Sequence, residues 1–175
     1  MITEYPWYEE IDSKEDLLQG DFIDACPIII PPEQLQEGKV SVEVCEYDVV
    51  VMSQSCDLAQ KKIDLVLVCP VWLLNEFEKQ NDYFKSKKGK EELRRGNNPG
   101  YHLLNKCSIK EHGKDYQVVD FRNVFSVPYA FLEAFAKKNR KTRVRLLPPY
   151  REHLSQAFAR FFMRVGLPAD IPPFK

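Results

Sequence analysis

The sequence predicts an α+β fold: a small antiparallel β-core, a helical insertion and a C-terminal amphipathic helix. Three observations carry this expectation. Two β-branched runs, residues 47–53 and 63–69, flank a short polar turn, which is the pattern of paired buried strands. Between residues 72 and 98 the chain turns charged and partly helix-spaced, and it closes on Asn97-Asn98-Pro99-Gly100, a turn sequence. From Tyr150 onward, Leu154, Ala157, Phe158, Phe161, Phe162 and Val165 recur at helical spacing, with Arg151, Glu152, Ser155, Gln156, Arg160 and Arg164 on the other face.

The elements follow in order. Residues 1–19 are acidic with scattered aromatics, and Ser13 to Leu18 has the length of one helical turn. Gly20-Asp21 opens a strand from Phe22 to Ile30, which Pro31-Pro32 ends because proline lacks the N–H a ladder needs. After a polar loop, Val40, Val42 and Val44 alternate with Ser41 and Glu43, as in a half-buried strand. The two core runs come next, the second ending at Cys69-Pro70. Beyond the insertion, Tyr101 to Leu104 and Tyr116 to Phe121 read as strands. Ser126 reads as the N-cap of a helix reaching about Lys138, with Pro128 in its first turn. Arg143-Val144-Arg145-Leu146 alternates as a strand that sets both arginines on one face, and the final helix occupies 149–166, stopped by Gly166 and Pro168.

A chain of 175 residues, 44% hydrophobic and 29% charged, fits one globular domain with a sizeable core. Its longest apolar runs, such as Val49 to Met52, fall far short of the ~20 residues that cross a bilayer, and the N-terminus lacks the order of a signal peptide. A soluble, cytoplasmic protein is therefore expected. Five cysteines without a C-x-x-C pair signal neither a disulfide framework nor a zinc ribbon, and three scattered histidines have no metal-ligand spacing. No metal and no cofactor is expected.

Charge is distributed unevenly. Residues 1–60 hold 14 acidic and 2 basic side chains, while residues 61–175 hold 23 basic and 12 acidic ones. Such a chain can bind an anion with its basic part, pair head to tail with a copy of itself, or pair its two parts internally.

Several pieces together resemble the PemK/MazF toxin family: Gly20-Asp21 entering the first strand, the Pro31-Pro32 loop, Val49-Val50-Val51-Met52-Ser53, and Leu65 through Cys69-Pro70. Val119-Asp120-Phe121-Arg122-Asn123-Val124 is similar to that family's Asp-Gln-Ile-Arg strand, and Val165-Gly166-Leu167 to its closing Leu-Gly-Leu. The resemblance spans roughly residues 18–168 and is interrupted by 72–98. It implies an SH3-like barrel, frequent homodimerisation, metal-independent cleavage of single-stranded RNA, and an antitoxin or defence subunit as protein partner. It also implies a catalytic Arg before the third strand and a Thr or Ser after the proline of the fourth. Here Glu43, Cys45, Glu46 and Tyr47 stand at the first place and Val71-Trp72 at the second, so that pair has no counterpart.

Two sets of candidate site residues remain. Ser53, Cys56 and Asp57 form the cluster densest in reactive groups. Cys56 is a nucleophile if His102 or His153 reaches it, and a turn residue packed inward if neither does. The basic set comprises Arg94 and Arg95 at the end of a lysine-rich run (Lys85, Lys87, Lys88, Lys90). Arg140, Lys141, Arg143 and Arg145 continue it after Lys137 and Lys138, and Arg151 follows on the last helix. Aligned guanidinium groups suit phosphates, so these residues are candidates for nucleic-acid binding, with a solvated surface or a dock for the acidic N-terminal part as the alternative. A non-catalytic protein-interaction module, with Trp7, Tyr8 and Trp72 as anchors, is the second functional reading.

Overall fold

The computed structural model describes residues 5–34, 38 and 41–163. Its strands are β1 (Tyr8–Asp12), β2 (Phe22–Ile30), β3 (Glu43–Val51), β4 (Leu65–Leu73), β5 (Tyr101–Leu104), β6 (Gln117–Asp120), β7 (Phe125–Pro128) and β8 (Thr142–Leu146). The helices are α1 (Ser55–Ala59), α2 (Leu74–Gln80), α3 (Lys87–Arg94), α4 (Tyr129–Asn139) and α5 (Tyr150–Phe162), with a 3-10 turn at Asp82–Lys85. All ladders are antiparallel. The main sheet runs β2-β3-β4-β6-β5 with β7 also on β4, and β1 pairs β8 in a separate ribbon. An isolated bridge from Asp21 to Arg145 joins ribbon to sheet. The α+β class with antiparallel pairing is therefore as expected. Among the described residues the ladders run from one end of the sheet to the other without returning to their start.

The uninterrupted Val49-Val50-Val51 run has a simple cause. Val49 and Val51 enter a core with Ile23, Ile28, Val66, Val68, Val127 and Leu132, whereas Val50 enters a second core with Cys69, Phe121, Leu146 and Leu154. All three valines are fully buried. A strand covered on both faces has no polar face to alternate with, so the sequence shows a solid apolar run. α4 covers the first core and α5 the second.

Several boundaries differ from expectation. Where two strands were expected, over Val40 to Cys45 and over 47–53, Glu43–Val51 is one continuous strand with Glu46 and Asp48 carried on it, and Val40 lies outside the described residues. Val42 and Val44 face outward, 49% and 57% exposed, and do not enter the core. β4 passes through Pro70 to Leu73, so the insertion begins at Leu74. Pro70 is tolerated where β4 changes neighbour: β7 pairs with Leu65–Val68 and β6 with Val71–Leu73, and the missing N–H falls between them. Ser126 is no N-cap. It lies in β7 opposite Leu67, and α4 starts three residues later. Ser13 to Leu18 forms no helical turn because the carbonyls of Ser13, Glu15 and Asp16 accept from Arg143 instead. Gly166 and Pro168 lie outside the described residues.

The insertion carries its own small core, with Phe77, Phe84 and Leu93 packed on Tyr101 and Val118. Gly89 makes this possible: a Cβ there would lie within 2.9 Å of Phe84 Cα. α3 therefore sits directly on the 3-10 turn, and its last turn is held beside β5. Trp7 stacks on Tyr150 at 3.7 Å between ring centroids, the Tyr8 hydroxyl donates to Asn105 O at 2.6 Å, and Trp72 is half-buried against the insertion core. These aromatics pack within the chain.

Candidate nucleic-acid interface

The basic residues sort into three environments. Arg143 and Arg145 are 5% and 7% exposed and point inward. Arg143 Nε donates to Asp21 Oδ2 at 2.9 Å, and its terminal nitrogens donate to the carbonyls of Asp12, Ser13, Glu15 and Asp16. Arg145 donates to both Asp21 oxygens and to Asp16 O. Alternation did set both arginines on one face, and that face docks the acidic N-terminal segment rather than meeting solvent. Arg140 pairs with Asp24 at 3.0 Å, and exposed Lys141 lines neither of the clefts described next.

Arg94, Arg95 and Arg151 stand apart from this network. Arg94 and Arg95, at the C-terminal end of α3, line a cleft of about 380 Å3 against α5, together with His102, His153, Gln156 and Arg160. Both arginines share one carboxylate, Glu91, which they hold down to about 2 by hydrogen bonding. Arg160 Nε donates to Gln156 O at 3.4 Å. Among the described residues the cleft thus presents three guanidinium groups and two imidazoles, with the Glu91 carboxylate paired to two of the guanidinium groups. Arg160 was not singled out from the sequence. The signal was present, since residues 153, 156, 157 and 160 form one helical stripe, but it was read only as the polar face of a packing helix.

Arg151 lines a second cleft of about 370 Å3, with Gln54, Ser55, Cys56, Glu152 and Ser155. Gln156 lines both clefts, so one face of α5 runs from the α3 arginines to the corner before β4. Arg151 donates to Glu152 at 2.7 Å, which neutralises it. The geometry of the corner is largely structural. Ser53 Oγ accepts from Leu67 N at 2.9 Å and Ser55 Oγ from Gln19 N at 3.1 Å. Cys56 does not pack inward: it is exposed and its Sγ lies 3.8 Å from Asp57 Oδ1, while Leu58 of the same short helix enters the core. His102 and His153 line the other cleft, so the structure brings Cys56 to Arg151 and Glu152 rather than to an imidazole. Cys26 and Cys69 are buried thiols, pushed up to about 11 and about 12 by desolvation, and serve as core.

His102 has the most distinctive setting in the basic cleft. It is half-buried against Phe121, and burial, then the nearby His153 and Arg160, lowers its pKa from 6.5 to about 4. It is neutral at pH 7. Its unfolded form takes up a proton near pH 6.5 while the folded form resists until about pH 4, so folding stability falls as pH drops through that window and levels off below it. A His102→Gln variant is expected to lose that part of the slope in urea denaturation midpoints between pH 7 and 4. An unchanged slope would show that His102 is solvated.

Comparison with known proteins finds no significant match. No family model fits the chain, and neither a curated protein nor a solved structure is similar to it. Among the described residues no group of His, Cys, Asp or Glu is placed to hold a metal ion, and no helix is long and apolar enough to cross a membrane.

Proposed function

We propose that the chain binds single-stranded RNA, with phosphates held in the cleft between α3 and α5. The observation that carries this reading is the convergence of Arg94, Arg95 and Arg160 on one recess with, among the described residues, Glu91 as the carboxylate that pairs with Arg94 and Arg95. Guanidinium groups recognise phosphate oxygens in pairs, and neutral His102 beside them adds a hydrogen-bonding group that does not depend on pH near 7. A recess of about 380 Å3 is of the size of a small ligand such as a single nucleotide.

The PemK/MazF-like resemblance belongs to the same proposal. β2, β3, β4 and β7 surround one apolar core in antiparallel succession, which supports an SH3-like barrel as the organising unit. A toxin–antitoxin or defence setting, with a protein partner or a second copy of the chain, follows from that resemblance. If RNA is cut, the family-type Arg and Thr or Ser play no part, because Glu43–Tyr47 and Val71-Trp72 occupy those places.

The test is fluorescence anisotropy with a mixed single-stranded RNA pool in chelator across a salt series. Binding should weaken steeply with salt, and the Arg94→Ala/Arg95→Ala/Arg160→Ala variant should lower the log–log slope by about 2, as three lost phosphate contacts require at ~0.7 each. Salt-insensitive retention, or an unaffected triple variant, rejects the reading. Gel analysis of the same samples separates binding from cleavage.

A further inference from the structure

The α3–α5 cleft is richer in donors than a phosphate inside a strand can use. Arg94 commits Nε and Nη2 to Glu91, and Arg95 commits Nε to the same carboxylate. Arg160 commits Nε alone, to Gln156 O. Among the described residues, Nη1 of Arg94 and both terminal nitrogens of Arg95 and Arg160 have no partner. A guanidinium with both terminal nitrogens unpaired offers two parallel N–H groups, the fork that takes two oxygens of one phosphate. Charge points the same way. Hydrogen bonds from Arg94 and Arg95 hold Glu91 down to about 2, so it is ionised at neutral pH. The three guanidinium groups and this carboxylate together carry a surplus of two positive charges. A phosphodiester has a single negative charge and two unbridged oxygens. A phosphomonoester carries about −1.5 to −2 at pH 7 and has three acceptor oxygens.

We propose that this cleft holds a terminal phosphomonoester, the phosphorylated end of an RNA strand, in preference to a phosphate within the strand. The inference rests on the reading of the cleft as an RNA site and adds which part of the RNA enters it. Arg95 and Arg160 each present a fork to the phosphate, and Nη1 of Arg94 adds a further donor. Size agrees, since a recess of about 380 Å3 is filled by a single end nucleotide. Gln156 lies one helical turn, about 6 Å, before Arg160. It lines both clefts along α5, so the next nucleotide has a polar surface to follow. In the second cleft Arg151 is already paired with Glu152 at 2.7 Å. The surplus charge therefore lies at the first recess, where the doubly charged end belongs, and not along the path of the strand.

The probes are short, internally labelled RNA strands of one sequence: one with hydroxyls at both ends, one with a 5′-phosphate and one with a 3′-phosphate. Their affinities for the full chain are compared by anisotropy in chelator at a single salt concentration. A phosphorylated end should bind at least about tenfold more tightly than the hydroxyl strand, and the end that gives the larger gain is the one the cleft takes. Arg160→Ala removes one fork and half of the surplus charge, and should bring that ratio to within about twofold of unity. Arg160 is exposed, so the fold is retained. Lys141→Ala is the control for a general response to added charge. Lys141 is exposed and lines neither cleft, so its loss should leave the ratio unchanged. Equal affinity for the three strands overturns the proposal and leaves RNA binding standing. An end preference that survives Arg160→Ala, or falls as far with Lys141→Ala, likewise overturns it. Failure of every strand to bind rejects the end preference and the RNA reading together.

Discussion

Replacing Asp21 by Asn is expected to cost about 3–5 kcal/mol, measured as the loss of unfolding free energy in urea. Asp21 is completely buried and receives both Arg143 and Arg145, which are themselves almost wholly enclosed. It also accepts the backbone N–H of Leu18 at 3.1 Å. Asparagine keeps the shape and one acceptor oxygen, but it leaves two buried guanidinium groups compensated by carbonyl dipoles and, for Arg145, by the more distant and exposed Glu15 carboxylate. Breaking a buried ion pair from one side strands the opposite charge, and this is the expensive direction. Glu15→Gln is the matched control. Its carboxylate is 53% exposed and 3.9 Å from Arg145, so the change should stay under about 1 kcal/mol. An Asp21→Asn loss no larger than the Glu15→Gln loss would mean that the backbone carbonyls alone hold the arginines.

The same network shows why part of the fold could be read from the sequence and part could not. β2, β5, β6, β8 and α5 were readable because their signals are local: period-2 or helical spacing bounded by proline, glycine or asparagine. β1 was not. Its partner is 134 residues away at Glu10 opposite Val144, and Tyr-Glu-Glu-Ile-Asp has no clean alternation of its own. The inward turn of Arg143 and Arg145 was open for the same reason. Alternation fixes which residues share a face, but only the position of Asp21 decides whether that face meets water. Gly20 supplies the joint: at φ +87 it accepts from Leu146 N and donates to Val51 O, so ribbon, sheet and buried charge meet at one residue. A Cβ there would press Leu146 at 3.2 Å.

The basic patches were half readable. Clusters of like charge in the sequence identified Arg94, Arg95 and Arg151, which line the two clefts along α5, together with Arg140, Lys141, Arg143 and Arg145, which line neither. Part of the charge imbalance between the two parts of the chain is paired inside the molecule. Lys114 sits between Asp24 and Asp48 at 2.7 and 2.8 Å, Arg140 adds to Asp24, and the two buried arginines take Asp21. What is left over on α3 and α5 therefore has more bearing on function than the total count.

Leu154→Ala should lower stability by about 2–5 kcal/mol, because Leu154 is fully buried in the second core between Val50, Cys69, Phe121 and Leu146. The consequence extends to binding. α5 has 13 residues, too short to persist in water without a surface to dock on. It supplies His153, Gln156 and Arg160 to one cleft and Arg151, Glu152 and Ser155 to the other. Loosening its anchor displaces half of the proposed RNA surface while Arg94 and Arg95, held by the insertion core, stay in place. RNA affinity should fall at temperatures where circular dichroism still reports a folded sheet. Phe162→Ala separates anchor from spacing: Phe162 shares the helical periodicity of Leu154 but is 61% exposed, so its loss should cost under about 1 kcal/mol and leave binding intact. Equal losses from the two substitutions would show that the helix docks through its C-terminal aromatics rather than through Leu154.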